Sequence, residues 1–307
     1  MKLRAHEPNF EARKLLIRIA DAFKAAIFPT RCLVCRSFFQ TEKSEGVRDT
    51  YEDMRDILSS FFCPAGNPSG GPVIADNFFG RCFRILFAPF LCPTCLSGFD
   101  ALESPLCITC GLKFISREGD DHFCGECLTK PKRFQMARAT GIYSRTLMKL
   151  IHRYKYGRKT NLAAPLGVLL FIALIRYWDV NTIDLVLPVP LHVRRLRKRG
   201  FNQAFLLIRD WYRIAAELKI SLANIQMKFD VLTRNRWTQS QTGLARKERM
   251  ANIKNAFSIN DPLKIEDKRI LLVDDVYTTG ATVDECAQVL LAGGAQTVDV
   301  LTLARAL

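Results

Sequence analysis

No stretch of this chain strings together the ~20 apolar residues that a membrane helix needs. Its most apolar run, Leu162 to Ile175, covers about fourteen residues and is interrupted by Pro165. The first turns carry charges throughout and hold neither an unbroken apolar core nor a small-residue cleavage site, so no secretory leader is expected. A cytoplasmic location follows as the default. Two familiar phosphate-binding signatures are also missing. Without Gly-x4-Gly-Lys-[Ser/Thr] there is no P-loop, and no Gly-x-Gly-x-x-Gly follows a strand. Acidic residues are few: 30 against 45 Lys and Arg, a net charge of +15. That balance suits anionic partners such as nucleotides, pyrophosphate, nucleic acid or an acidic surface, although a solvated basic face explains it equally well. What is present is globular: 307 residues, 49% hydrophobic, enough for one good-sized α/β domain and a small module.

The most informative segment is Ile270-Leu271-Leu272-Val273-Asp274-Asp275-Val276-Tyr277-Thr278-Thr279-Gly280-Ala281-Thr282. Its apolar start, Ile270–Val273, reads as a parallel strand covered on both faces. An acidic pair stands at the strand's end, then a loop of small residues, then a helix from about Thr282 to Leu291. Ligands of open α/β sheets collect just beyond the carboxyl ends of such strands. There, Asp274 and Asp275 can accept hydrogen bonds from vicinal sugar hydroxyls. Thr278, Thr279, Gly280, Ala281 and Thr282 offer backbone N–H groups and hydroxyls at the positive end of a helix dipole, a cradle for a phosphate monoester. Any fragment of this string could be a plain helix cap; the whole string is not explained that way. It resembles the phosphoribosyl-pyrophosphate (PRPP) motif of type I phosphoribosyltransferases. The resemblance implies that the two acids hold the ribose hydroxyls and the loop holds the 5′-phosphate.

Cysteines crowd the first 130 residues. Cys32/Cys35, Cys92/Cys95, Cys107/Cys110 and Cys124/Cys127 are four Cys-x-x-Cys pairs, each able to give two thiolates to a tetrahedral Zn²⁺. One dithiol redox centre explains four repeated pairs poorly. The span from Cys110 to Cys124 is that of a zinc-ribbon hairpin, so Cys107, Cys110, Cys124 and Cys127 form the firmest set. Cys32/Cys35 with Cys92/Cys95 is simplest in chain order, and an interleaved pairing stays open. Between them lie an amphipathic helix candidate (Val47, Tyr51, Met54, Leu58, Phe61), a Pro/Gly-rich turn at Pro64–Pro72 and an aromatic run from Phe78 to Phe90. Cys63, Cys82 and Cys286 read as small buried residues, and His122 as a loop residue.

After Pro131 strands and helices alternate, which predicts a mostly parallel sheet with helices on both faces. Strands are expected at Ala137–Tyr143, Thr182–Leu187, near Phe229–Leu232, at Ile270–Val273 and at Val298–Leu303. Helices are expected at Arg145–His152, Leu162–Tyr177, Asn202–Leu218 and around Leu244–Asn252. Three basic clusters sit between these elements. Pro188, Val189, Pro190 and Leu191 follow a strand and lead into His192, Arg194, Arg195, Arg197, Lys198 and Arg199, suited to pyrophosphate oxygens. Lys155-Tyr156-Gly157-Arg158 and Gln241…Arg249-x-x-Asn252 are the others.

Together with Phe28-Pro-x-x-Cys32-x-x-Cys35, Arg199-Gly-Phe-Asn-Gln-Ala204 and Ala256-Phe257, these strings resemble the ComF family. That resemblance implies an α/β fold with a type I phosphoribosyltransferase core behind a small N-terminal double zinc ribbon. The expected division is an N-terminal helix at 1–30, the cysteine-rich part at 31–130 with an insert at about 36–91, and the transferase-like part at 131–307. Structural Zn²⁺ and PRPP with Mg²⁺ are the implied ligands; single-stranded DNA and a competence helicase are the implied partners, in DNA uptake. In the implied site, Asp274 and Asp275 take the ribose, and Val189, Pro190 and Leu191 with Arg197 and Arg199 meet the pyrophosphate. Lys155 and Arg249 assist. Where 6-oxopurine enzymes carry an Asp three residues beyond the second acid, this chain has Thr278, which cannot act as a general base near neutral pH. Purine salvage is therefore disfavoured, and no residue identifies a nucleobase pocket.

Overall fold

A computed structural model describes residues 30–40, 50–62, 77–115, 119–157, 159–237 and 253–307. Short antiparallel strands β1 (Thr30–Arg31) and β2 (Phe38–Phe39) close the first cysteine knuckle. Helices α1 (Thr50–Phe62), α2 (Phe78–Phe87), α3 (Pro93–Leu96) and α4 (Gly125–Thr129) follow. The α/β part then runs β3 (Ala137–Ile142), α5 (Arg145–Tyr156), α6 (Ala163–Tyr177), β4 (Leu185–Pro188), α7 (Val193–Arg199), α8 (Gln203–Ile208) and α9 (Trp211–Glu217). It ends with β5 (Gln226–Met227), β6 (Leu232–Arg234), β7 (Phe257–Ile259), β8 (Arg269–Tyr277), α10 (Ala281–Ala292) and β9 (Thr297–Arg305).

Five parallel strands make the central sheet in the order β3-β9-β8-β4-β5. Because strand side chains alternate faces, β8 and β9 feed two cores. Leu271, Val273, Leu301 and Leu303 pack with α6, whereas Ile270, Leu272, Val298 and Val300 pack with α10. Helix α10 meets its face with Val283, Cys286, Ala287 and Leu290, the i, i+3, i+4, i+7 spacing of an amphipathic helix.

The stretch Thr160–Tyr177 is long and apolar enough to cross a membrane by length and composition, but most of it is buried inside the protein. Its apolarity is that of a core helix, packed against α2, α8, β3 and β9.

The insert is not a separate layer. Met54, Ile57 and Leu58 of α1 and Phe78, Phe79, Cys82, Phe83, Leu86 and Phe87 of α2 share one core with α6. Cys82 is buried there, as is Cys286 in α10, so both are the small core residues expected.

Several boundaries differ from expectation. The helix foreseen at Asn202–Leu218 is two, broken where the Arg209 guanidinium turns onto the Asp210 carboxylate at 2.9 Å. The break lets Trp211 bury itself against Phe171 and donate Nε1 to Gly167 O at 3.3 Å. The strand foreseen near Phe229–Leu232 is replaced by β5 and β6, with Phe229 half exposed in the turn between them. The helix foreseen around Leu244–Asn252, with Gln241 and Arg249, and the expected 1–30 helix (apart from Thr30, in β1) lie outside the described residues, as do Cys63 and Arg158.

Candidate functional site

Strand β8 does not stop at Val273. Its partner β4 ends at the Pro188↔Val273 pair, but β9 continues alongside, pairing Asp274 with Thr302 and Tyr277 with Arg305. The acidic pair is therefore inside the strand, on the stretch that outruns β4, and the two side chains lie on alternate faces. Asp275 is only 3% exposed. One of its oxygens meets the Lys155 ammonium at 2.8 Å, and the other finds no hydrogen-bond partner among the described residues. Asp274 is half-buried, and its Oδ1 accepts from the Asp275 amide at 2.8 Å.

Burial, with the Asp275 carboxylate next to it, pushes the Asp274 carboxyl up to about 7. Burial alone would lower Lys155, but the charge and hydrogen bond of Asp275 override it and hold the ammonium above its ordinary value. An acid raised in the folded state keeps a proton that the unfolded chain has released, so stability falls as pH rises from about 4 through about 7. Urea unfolding should therefore find the wild type losing stability between pH 5 and pH 8 relative to Asp274→Asn. Parallel pH profiles for the two proteins would contradict the assignment.

The loop after β8 turns through Gly280 at φ 77°, ψ −4°, a left-handed conformation that favours glycine. A Cβ there would collide with the Tyr277 ring. Thr278, Thr279, Ala281 and Thr282 are half-buried around this turn, at the N-terminus of the twelve-residue α10. The structure thus brings the acids and the expected phosphate cradle to one end of the sheet.

The loop after β4 reaches the same end. Val189 is buried and spends both backbone groups internally: its N–H donates to Val273 O at 2.8 Å and its carbonyl accepts from Asn202 Nδ2 at 3.1 Å. Pro190 and Leu191 are half-buried beside it. Asn202 also caps α8 by accepting from the Ala204 amide at 2.9 Å. His192 caps α7, its Nδ1 accepting from the Arg194 amide at 3.2 Å. Arg199 is tied to the Gln203 side chain and lies over Tyr156 at 5.2 Å, while Arg197 is exposed.

Besides Arg138 on β3, two buried arginines near this end of the sheet are not foreseen from the sequence. Arg234 on β6 sits over Phe257 at 5.3 Å; its pKa is pushed down to about 10 by burial first, then by Arg195, with Asp274 opposing. Arg305 ends β9 beneath the loop, its guanidinium 4.3 Å from the Tyr277 ring centroid. Each is the last residue of its strand, and neither gives any other signal in the sequence.

The eight knuckle cysteines form two groups, Cys32/Cys35/Cys92/Cys95 and Cys107/Cys110/Cys124/Cys127, with ligand atoms within 4.8 Å of one another in each. The first two pairs do join each other. Cys35 and Cys92 sulfurs lie 3.6 Å apart, Cys110 and Cys124 sulfurs 3.7 Å. Four thiolates ~2.3 Å from one tetrahedral ion would stand ~3.8 Å apart, whereas a disulfide would need ~2.05 Å. The Cys107 sulfur also accepts from the Cys124 amide at 3.3 Å and the Cys32 sulfur from the Val34 amide at 3.4 Å, as knuckle thiolates do. Both groups fit Zn²⁺.

Comparison with known proteins agrees with this geometry. The phosphoribosyl transferase domain model matches residues 212–307. The DNA utilization protein YhgH of Escherichia coli K12 is 35% identical over 221 residues, covering 71% of this chain and 91% of that protein. Competence protein F of Haemophilus influenzae is 31% identical over 222 residues, 70% of this chain and 90% of the relative. Competence protein ComFC of Streptococcus pneumoniae is 27% identical over 217 residues, 70% and 87%. Relatives matched along about nine-tenths of their own lengths place this chain in the ComF family, and its paired acids on a parallel strand, glycine-turned loop and two four-cysteine groups accord with a type I phosphoribosyltransferase fold behind a double cysteine cluster.

Proposed function

We propose that this chain binds a phosphorylated ribose, PRPP or a close relative, at the β8–α10 junction, and that it serves the uptake or use of DNA. Asp275 carries the reading. It is a buried carboxylate with one oxygen held by Lys155 and the other lacking a donor among the described residues. Such an oxygen costs free energy unless something donates to it, and the hydroxyls of a ribose would. Asp274 takes the other hydroxyl, best once ionised, while Thr278–Thr282 receive the 5′-phosphate at the positive end of α10. Pro190 and Leu191, shaped by Val189 and flanked by Arg197 and Arg199, face the pyrophosphate, whose charge a bound Mg²⁺ would help neutralise. Lys155 acts through Asp275, holding the buried acid ionised. Arg249 joins them as a further cation for the pyrophosphate.

The names of the relatives support the DNA role, and so does the net charge of +15. If this basic chain binds single-stranded DNA, log K should fall linearly with log salt, by ~0.7 for each phosphate neutralised. Fluorescence anisotropy with a labelled oligonucleotide between 50 and 200 mM salt reads it; a flat response removes the DNA role. A second reading, a salvage transferase that turns over, is held back by Thr278 standing where a general base would be needed. Pyrophosphate release from PRPP against a panel of bases separates the two: binding without release supports the first, steady release with one base the second.

A further inference from the structure

The second four-cysteine group and the phosphate loop share one buried arginine. Arg305 is 7% exposed, and its Nη2 donates to Cys110 Sγ at 3.3 Å. The same guanidinium lies 4.3 Å from the centroid of the Tyr277 ring, and Tyr277 and Arg305 are partners across β8 and β9. The Tyr277 ring in turn fills the space that any side chain at Gly280 would need. Thiolate, guanidinium, ring and loop glycine therefore form one unbroken line of contact.

Three further ties brace it. The Arg133 amide and guanidinium both bond the Asp284 carboxylate in the first turn of α10, at 2.9 and 2.8 Å. Phe134 sets its edge on Tyr277, with centroids 6.2 Å apart. The Cys107–Cys110 knuckle is pinned to β3, where the Ala137 amide donates to Thr109 O at 2.6 Å. Gly111, at φ 63°, has the Ala137 carbonyl where a Cβ would go. The first group is anchored elsewhere: Thr146 of α5 donates to Cys95 O at 2.8 Å and Arg153 of α5 to Val34 O at 3.3 Å.

A divalent ion on four thiolates leaves a net charge of −2 at the cluster, which a buried guanidinium can partly balance. With the metal in place Arg305 has a fixed anionic partner and holds Tyr277 under the loop. Without it the guanidinium loses that partner and the ring loses its support. We infer that Arg305 is a positioning residue that couples metal at the Cys107/Cys110/Cys124/Cys127 group to phosphate at the Thr278–Thr282 loop, so that the two bind cooperatively. The inference rests on the sugar-phosphate site proposed above. Coupling of this kind is reciprocal, and its usual size is ~5- to ~150-fold.

Zinc release tests it without reading activity. The zinc-loaded full chain is mixed with the chromogenic chelator 4-(2-pyridylazo)resorcinol, with and without saturating PRPP·Mg²⁺, and calorimetry in the same buffer reports whether PRPP binds. PRPP is expected to slow release of one zinc about tenfold and to leave the other unchanged. In Cys35→Ser, which weakens the first group, the remaining zinc should be the PRPP-sensitive one. Arg305→Gln should speed release of that zinc and remove its response to PRPP, and Arg305→Lys should restore part of both. Should PRPP bind while both zincs leave at unaltered rates, the coupling is overturned and the sugar-phosphate site stands. Absence of binding heat overturns both.

Discussion

Asp274→Asn/Asp275→Asn is expected to weaken PRPP·Mg²⁺ binding by ~100-fold or more. In the proposed pose each carboxylate would give a ribose hydroxyl a charge-assisted hydrogen bond worth ~1.5–3 kcal/mol, which a neutral amide does not supply. Two such losses amount to ~3–6 kcal/mol, and each ~1.4 kcal/mol is a factor of ten in Kd. The fold should survive, because asparagine keeps the size of both side chains and the β8–β9 pairing is backbone. The change at Asp275 also strands the Lys155 ammonium, whose 2.8 Å partner becomes neutral. Calorimetric titration of the double variant beside the wild type, with circular dichroism to confirm folding, reads the result. A folded double variant with undiminished affinity would remove the acids from the site.

The second large effect concerns metal. Structural zinc contributes ~10–16 kcal/mol in isolated zinc-binding peptides, comparable to the whole net stability of an ordinary domain, ~5–15 kcal/mol. Cys107, Cys110, Cys124 and Cys127 pack in the same core as Leu185, Ile270 and Leu272 of the central sheet. Losing that ion should therefore weaken the transferase part as well as the ribbon. Native chain should carry two zinc ions by elemental analysis, and Cys107→Ser/Cys124→Ser one. The double variant should also melt more than ~10 °C lower, since ~1 kcal/mol shifts Tm by ~2–4 °C in a domain of ~150–250 residues. An unchanged Tm in a zinc-depleted variant would show that the cysteines are ordinary core residues.

How far the sequence alone leads can be traced residue by residue. The apolar run Ile270–Val273 announces a buried strand, but nothing local says that it continues to Tyr277. Continuation depends on β9, whose Thr302, Ala304 and Arg305 keep pairing after β4 has ended. The break at Arg209–Asp210 is hidden as well, because helical periodicity runs through it and the packing of Trp211 on Phe171 is not local in sequence.

Spacing makes the knuckles legible, since Cys-x-x-Cys is a local motif. Chain order makes Cys32/Cys35 with Cys92/Cys95 the simplest pairing, but choosing it over an interleaved one takes three dimensions. So does the role of the insert: an amphipathic face at Met54 and Leu58 states that something covers it, not that α6 shares its core.

Site residues followed the same rule. Asp274, Asp275 and Thr278–Thr282 fall within one short string, which is why the sequence proposes a single ligand for all of them. Lys155 was visible as a basic residue but not as the partner of Asp275, 120 positions later. Arg305 reaches a cysteine 195 positions away. Such a contact leaves no trace in composition, period or spacing.

Placing a pentose phosphate at the end of β8 underlies every role assigned to these residues, and one titration bears on it most directly. Wild-type chain is titrated with PRPP in a calorimeter, with and without Mg²⁺, and again in the presence of excess ribose 5-phosphate. Saturable one-to-one binding, strengthened by Mg²⁺ and competed by ribose 5-phosphate, is the predicted result. No heat at millimolar PRPP, or binding indifferent to ribose 5-phosphate, would contradict it.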